Sequence, residues 1–200
     1  MKKFSPVIFA ILLALTFRIY LVAMFKVPGQ SMAPTILAGD YVMGTQLYSQ
    51  PKTGELVVYI GHTRTYVKRV IAAGGDEVEY KDGQFVINAK TCEYRQQDGL
   101  FDAAYVLFEE NCGGQVRKVL KPGNSSANPF TLAAVKLAEG EFLVASDNRS
   151  PDPNLILAEI VRSDQIVGKP VVVWMSYSST QDFISKSLGV RWNRILTILR

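Results

Sequence analysis

The chain has 200 residues, of which 48% are hydrophobic and 20% are charged, and its formal net charge is +4. These values are typical of one folded domain with an insertion or an appendage, and they exclude a disordered chain. No long run of lysine and arginine occurs, so nucleic acid is not an expected partner, whereas a mildly basic surface fits anionic lipid headgroups.

An apolar segment follows Lys2 and Lys3 and continues from Phe4 to about Tyr20. A membrane-spanning helix needs about 20 residues. A cleaved leader would need a small-residue cleavage site that is not evident here, and a buried core helix is the other alternative. We expect a single-pass anchor over residues 1–22. The two lysines predict a cytoplasmic N-terminus, with the remaining chain on the periplasmic side of the inner membrane.

Ser31 follows the anchor in the turn-forming stretch Gly29-Gln30-Ser31-Met32. A serine hydroxyl is a poor nucleophile until a neighbouring base takes its proton. Such a turn can also present free backbone N–H groups to an oxyanion. The alternative is a serine that only occupies a turn.

Apolar and β-branched runs separated by turn-forming residues predict strands along most of the remaining chain. The clearest are residues 56–60, 66–71, 77–80, 85–87 and 171–174. This pattern predicts a mainly β fold, an antiparallel sandwich or partly open barrel. Its core would be formed by residues 23–87 and 139–200.

Lys68 lies within one of these strand patterns, and it is the candidate base for Ser31. A lysine base must be neutral, which burial favours by lowering the pKa of its amine. The alternative is an edge-strand lysine that points to solvent. Because a nearby carboxylate would oppose neutrality, we expect Asp147 and Asp152 to lie away from the amine or to pair with arginines such as Arg69 or Arg149. His62, the only histidine, lies in a probable turn and is not expected to be catalytic.

A polar stretch over residues 88–138 predicts an inserted β-rich cap that contains both cysteines. We expect a Cys92–Cys112 disulfide, and the alternative is two free buried thiols. A zinc site would need four ligands, and the two cysteines have no histidine partners at a suitable spacing. Neither a metal nor another cofactor is therefore expected. Residues 183–200 place apolar side chains among basic ones. One interpretation is an interfacial membrane element, with Trp192 at headgroup level and Arg191, Arg194 and Arg200 toward lipid phosphates. A terminal element that packs on the core is an equally favoured alternative.

Several stretches together resemble the bacterial type I signal peptidases, which are membrane-anchored Ser-Lys endopeptidases. The resemblance lies in residues 25–35, 39–42, 54–59, 66–78, 146–149 and 166–169, of which the stretch around Lys68 is the most specific. It implies that Ser31 is acylated, that Lys68 is the general base, and that the backbone at Ser31 and Gly29 forms the oxyanion hole. Many relatives have a serine at the position of Gly29. The resemblance also implies that the substrate binds as an added strand against shallow pockets formed by Phe25, Val27, Met32, Ile36, Tyr66 and Val67.

The stretch Ser146-Asp147-Asn148-Arg149, which we call the late box, departs from the family pattern. The family continues with a serine that contacts the lysine and with an Asp-Arg pair. An ungapped count places Asp152, Asn154 and Ile156 there, whereas a short deletion lets Ser150 and Asp152 substitute. In both alignments the arginine is missing, and Ser146 occupies the place of a glycine. We expect Asp147, Asn148, Arg149, Ser150 and Asp152 to surround the catalytic pair.

The resemblance therefore predicts a monomeric peptidase that cleaves exported pre-proteins after Ala-x-Ala-type sites at the membrane surface. One alternative is a maturation protease dedicated to a pilin or conjugation substrate. The other is a catalytically impaired, membrane-tethered assembly factor that only binds peptides.

Overall fold

The computed structural model describes residues 8–13, 23–46, 50–61, 64–102, 105–123, 130–149, 156–178 and 189–199, without the side chains of residues 99–102. Residues 8–13 are helical, and the rest of the predicted anchor lies outside the described residues. In the part of the chain that the structure describes, no helix is both long and apolar enough to cross a bilayer.

Beyond residues 8–13, the described residues form sixteen strands and two short 3-10 helices, Ser163–Gln165 and Trp192–Arg194. The strands are β1 (Ala23–Lys26), β2 (Asp40–Thr45), β3 (Leu56–Ile60), β4 (Thr65–Ala73), β5 (Glu77–Lys81), β6 (Gln84–Ile87), β7 (Lys90–Thr91), β8 (Glu93–Asp102), β9 (Tyr105–Cys112), β10 (Gln115–Pro122), β11 (Leu132–Lys136), β12 (Glu141–Ala145), β13 (Ala158–Arg162), β14 (Ile166–Ser178), β15 (Gly189–Val190) and β16 (Thr197–Ile198).

The main sheet has the order β1-β2-β14-β3-β4-β12-β13, with β15 and β16 paired to β14. Its neighbouring strands are antiparallel. The prediction of a mainly β, antiparallel fold is therefore confirmed, and the sheet ends at β1 and β13 without pairing these two strands. The long strand β14 connects the early and late parts of the chain, because it pairs with β2 on one side and β3 on the other.

Two smaller sheets complete the described fold. One is the meander β8-β9-β10, which we call the cap sheet, and the other has the order β11-β5-β6-β7. The strands between residues 88 and 138 therefore contribute to both sheets. The β5–β6 hairpin turns at Asp82 and Gly83, where both φ angles are positive, at 52° and 76°. This conformation is typical of the Asp-Gly pair in a tight hairpin.

The disulfide joins Cys92, before β8, to Cys112, at the end of β9, and so confirms the predicted pairing. Both cysteines are buried in an apolar cluster with Tyr80 and Phe85 of the β5–β6 hairpin. A second apolar cluster includes Val27, Met32 and Ile36 together with Val42, Leu56, Val173 and Leu199. This second cluster therefore includes two residues of the segment that carries Ser31.

Candidate active site

Lys68 lies in the middle of β4, where its main chain pairs with Val57 of β3. Its side chain is almost fully buried, with 1% of the residue exposed. The Nζ atom donates hydrogen bonds to Ser146 Oγ and to the carbonyl oxygen of Ile156, the latter at 2.5 Å. Ser146 Oγ donates in turn to the same carbonyl at 2.9 Å. The lysine is therefore directed by a hydroxyl and a carbonyl, and not by a carboxylate.

Burial lowers the pKa of Lys68 from 10.5 to about 8, because the charged ammonium loses hydration. The nearby Glu159 carboxylate opposes this change, and the positive charge of Arg149 adds to it. At neutral pH a pKa near 8 leaves about a tenth of the amine unprotonated. This fraction is far larger than that of an ordinary lysine, so the buried amine can accept a proton.

Ser31 is half-buried in an irregular segment, residues 29–39, which we call the serine turn. The Ala33 N–H donates to the Gln30 carbonyl at 3.0 Å, which closes the turn around Ser31. The late box also holds this segment, because the Asn148 N–H donates to the Ser31 carbonyl at 3.0 Å and Asn148 Nδ2 to the Gln30 carbonyl at 3.3 Å. The described part of the chain shows no acceptor for the N–H of Ser31.

Asp147 connects the two halves of the site and is fully buried. Its carboxylate accepts hydrogen bonds from Arg69 Nε at 2.8 Å and Nη2 at 2.7 Å, and from Thr35 Oγ1 at 2.5 Å. Burial alone would raise the pKa of the Asp147 carboxyl, but the Arg69 guanidinium outweighs it and holds the pKa below its usual range. The structure thus contains the expected Asp147–Arg69 pair, which joins β4 to the serine turn.

The C-terminal segment, residues 189–199, holds the opposite side of the serine turn. Arg194 donates to the Thr35 carbonyl at 3.0 Å, and Arg191 to the Ala38 carbonyl at 2.5 Å. Both guanidinium groups also contact the buried Asp40 carboxylate. Arg191 and Arg194 are therefore directed into the protein rather than toward lipid phosphates, whereas Arg200 lies outside the described residues. The described part of this segment packs on β14, and Trp192, Leu196 and Ile198 remain exposed.

A groove of about 530 Å³ lies between the serine turn and the start of β4. Ser31, Gly29 and Lys68 line it together with all six residues of the predicted substrate pockets: Phe25, Val27, Met32, Ile36, Tyr66 and Val67. The lining is mostly apolar, and Lys26 and Arg64 contribute positive charge to it. The groove is therefore suited to an extended peptide with small or apolar side chains.

The principal difference from the sequence prediction concerns Ser146. We predicted the hydroxyl next to the lysine at a position after the late box, with Ser150 as a substitute, whereas Ser146 makes the contact. Ser150, Asp152 and Asn154 lie outside the described residues, as does His62. The available signal was the serine at the family's glycine position, directly before Asp147.

The structure gathers no candidate metal site within the described ranges, where no three histidine, cysteine, aspartate or glutamate side chains are grouped to hold an ion. The acidic groups near the site are paired with cations or hydroxyl groups instead. Asp147 faces Arg69, and Glu159 accepts a hydrogen bond from the Tyr59 hydroxyl.

The family model described as "Signal peptidase, peptidase S26" matches residues 1–175. The chain is 28% identical to signal peptidase I of Pseudomonas fluorescens, with 88% of this chain and 72% of that relative covered. It is 30% identical to signal peptidase I T of Bacillus subtilis, with 87% and 84% covered, and 30% identical to signal peptidase I of Bacillus amyloliquefaciens, with 72% and 71% covered. The chain therefore belongs to the S26 family of signal peptidases.

Proposed function

We propose that this protein is a membrane-anchored serine endopeptidase that removes signal peptides from exported pre-proteins, with Ser31 as nucleophile and Lys68 as general base. One observation carries the proposal. The buried Lys68 amine faces two hydrogen-bond acceptors and lines the same groove as Ser31. A neutral amine has two N–H groups and one lone pair. With both N–H groups directed to Ser146 and Ile156, the lone pair remains for the serine proton.

The reaction has two stages. In the first, Ser31 Oγ attacks the scissile carbonyl carbon while Lys68 Nζ takes its proton, and the resulting oxyanion is held by the Ser31 N–H and the backbone at Gly29. The Lys68 ammonium then protonates the departing amine, which leaves an ester on Ser31. In the second stage, water attacks the ester carbonyl carbon while Lys68 Nζ takes a proton from it, and the Lys68 ammonium then returns this proton to the departing Ser31 Oγ, which releases the acid product. Lys68 therefore acts as base and as acid in each stage.

The substrate binds in the groove as an added β-strand. Two exposed backbone edges support this mode among the described residues. β1 pairs with β2 alone, and β12 pairs with β4 only from Arg69 onward, so residues 65–68 have a partner strand on one side only. An extended peptide placed between these edges can form main-chain hydrogen bonds with both. Its alternate side chains would enter the pockets beneath, as Ala-x-Ala specificity requires.

The membrane is the proposed place of action. The apolar residues 4–20 supply the single-pass anchor, with the N-terminus in the cytoplasm and the catalytic domain on the periplasmic side. On the C-terminal segment, Trp192, Leu196 and Ile198 are 77%, 72% and 65% exposed, respectively. Such side chains favour contact with the lipid interface. We propose a monomer with the anchor at 1–22, a catalytic core at 23–87 and 139–200, and the insertion at 88–138.

The contact between Lys68 and Ser146 favours the active enzyme over an impaired peptide-binding factor. A neutral hydroxyl beside the amine does not stabilise the charged ammonium form as a carboxylate would. A carboxylate in that place would hold the proton on the amine and oppose catalysis. A dedicated maturation protease would differ from a general signal peptidase in cutting only a restricted set of precursors. The range of exported proteins that are cut distinguishes the two.

Cleavage of a purified precursor by the full-length protein in detergent tests the proposal. We expect the wild-type protein to release the leader after a small residue, and both Ser31→Ala and Lys68→Ala to abolish this release. Asp164→Ala, an exposed change in a 3-10 helix, is the control and should cleave normally. Wild-type protein that binds exported precursors and cuts none of them would support the assembly factor.

A further inference from the structure

The cap sheet contributes one buried carboxylate to the edge of the catalytic core. Glu110 of β9 has no exposed surface, and it accepts hydrogen bonds from Tyr94 Oη at 2.6 Å, from Arg117 Nε and from Arg149 Nη2 at 3.0 Å. Tyr94 and Arg117 belong to the cap sheet, whereas Arg149 is the last residue of the late box. Burial alone would raise the pKa of Glu110, but the two arginines outweigh it and keep the carboxylate ionised.

The backbone makes a second connection between the same two parts. The Leu120 N–H of β10 donates to the Asp147 carbonyl at 2.9 Å, and the Leu120 carbonyl accepts from the Arg149 N–H at 2.8 Å. The Leu120 side chain packs against Ala33 and Leu37 of the serine turn. The cap sheet therefore contacts both the late box and the segment that carries Ser31.

From the late box, contacts continue directly to the proposed catalytic pair. Ser146 contacts the Lys68 amine, and Asn148 binds the Ser31 carbonyl through its N–H. Glu110 is thus separated from the nucleophile by Arg149 and Asn148, two successive residues of one extended segment. A shift of this segment would move the hydroxyl and the amine relative to each other.

We propose that Glu110 is a positioning residue, and that the cap sheet acts through it to hold the late box, and with it Ser31 and Lys68, in the reactive arrangement. This inference rests on the proposed peptidase function. A buried carboxylate between two guanidinium groups is satisfied only when the cap sheet and the late box are in register. A displacement of about 1 Å at the reacting groups can lower a rate by about 100-fold, so a remote ion pair can be important for turnover.

The test compares Glu110→Gln with Glu109→Gln in the full-length protein. Glu109 is the neighbouring residue on β9, is half-buried, and loses the same charge from the opposite face of the strand. Three quantities are measured on folded protein at low temperature: kcat and KM for a precursor peptide, and the exchange rate of the Asn148 amide by NMR. Glu110→Asp, which retains the charge but shortens the side chain, serves as the second variant if Glu110→Gln does not fold.

For Glu110→Gln we expect kcat to fall by about 10- to 100-fold with KM within about 3-fold of the wild-type value, and Asn148 exchange to accelerate by about 10-fold or more. Glu110→Asp should change kcat and Asn148 exchange in the same directions by smaller factors. Glu109→Gln should change neither. A folded Glu110 variant with wild-type kcat or wild-type Asn148 exchange would overturn the inference. If the wild-type protein cleaves no precursor but Glu110→Gln still accelerates Asn148 exchange, the peptidase function is overturned and the positioning contact is supported.

Discussion

Ser31 and Lys68 line one groove, but the protein positions them in different ways. Lys68 belongs to a central strand, β4, whose ladder with β3 fixes its backbone, and burial sets the state of its amine. Ser31 lies in an irregular turn that is held by groups from distant parts of the chain, among them Asn148 and Arg194. Regular secondary structure therefore places the proposed base, whereas tertiary contacts place the proposed nucleophile.

The difference has a physical origin. Repeated main-chain hydrogen bonds fix the position of a strand residue. If its side chain lies on the buried face of the sheet, burial alone removes water from it. A nucleophilic serine must be accessible to the substrate and close to free N–H groups, so it cannot be buried on the face of a sheet. Hydrogen bonds from the late box and from the C-terminal segment hold the serine turn instead. We expect distant substitutions to affect the serine side more than the lysine side.

The largest expected effect is at Asp147, which joins the two sides through Arg69 and Thr35. Asp147→Ala leaves the buried Arg69 guanidinium without its carboxylate, and breaking a buried pair in this way costs about 3–5 kcal/mol. We expect a much lower midpoint of urea unfolding and the loss of cleavage. The exposed pair of Arg162 and Asp164 supplies the control, because Asp164→Ala should leave the midpoint unchanged. Equal midpoints for the two variants would show that Asp147 does not join the two sides.

Ser146→Ala tests the lysine side alone. The substitution removes the hydroxyl that orients the amine, and hydrogen bonds to charged groups contribute about 1.5–3 kcal/mol, so kcat should fall by about 10- to 100-fold. KM should stay near its wild-type value, because Ser146 does not line the groove. Steady-state kinetics on a precursor peptide measure both constants. Ser163→Ala, at an exposed serine, is the matched control, and an equally active Ser146→Ala enzyme would contradict the assigned contact.

The pH dependence of turnover tests whether burial prepares Lys68 for its proposed role as the base. Because burial lowers the pKa of Lys68 to about 8, kcat/KM should rise with pH through about 8 and level off above it. In the unfolded chain the amine keeps its proton up to about 10.5, so burial of Lys68 costs stability below pH 8. This cost should decrease between pH 8 and 10.5.

The stability difference between wild-type protein and Lys68→Met, measured by urea unfolding, should therefore shrink as the pH rises through that window. A pH profile that rises only near 10.5 would mean that Lys68 is solvated in solution. In that case, its position in β4 would not be sufficient to lower the pKa of the Lys68 amine.

The smallest effect is expected at Gly29, on the serine side. A Cβ atom added there meets no heavy atom within 4 Å beyond the glycine itself and its two chain neighbours, so a side chain fits without movement of the backbone. Gly29→Ser would place a hydroxyl near the proposed oxyanion, and we expect kcat to increase by about 2- to 5-fold. Gly29→Ala adds the same Cβ without the hydroxyl and should show no increase. Equal rates for the two variants would exclude a hydroxyl contribution at this position.

Residues close together in the chain carried most of what could be predicted. The β-branched runs predicted the strands because their alternation matches a half-buried sheet, and the stretches around Ser31 and Lys68 identified the candidate pair. The pairing of strands β7 and β11, which lie in the predicted insertion, with β6 and β5 from the preceding part of the chain was not predicted. Pairing of distant strands leaves little trace in local composition.

The sequence by itself determined the β class, the disulfide pair and the candidate nucleophile and base, because each depends on residue type and local pattern. Only the tertiary structure decided that Ser146, rather than a later serine, contacts Lys68, that Arg191 and Arg194 are directed to Asp40, and that Glu110 connects the cap sheet to Arg149. These contacts join residues between 39 and 154 positions apart, and hydrogen bonds over such separations depend on how the strands pack.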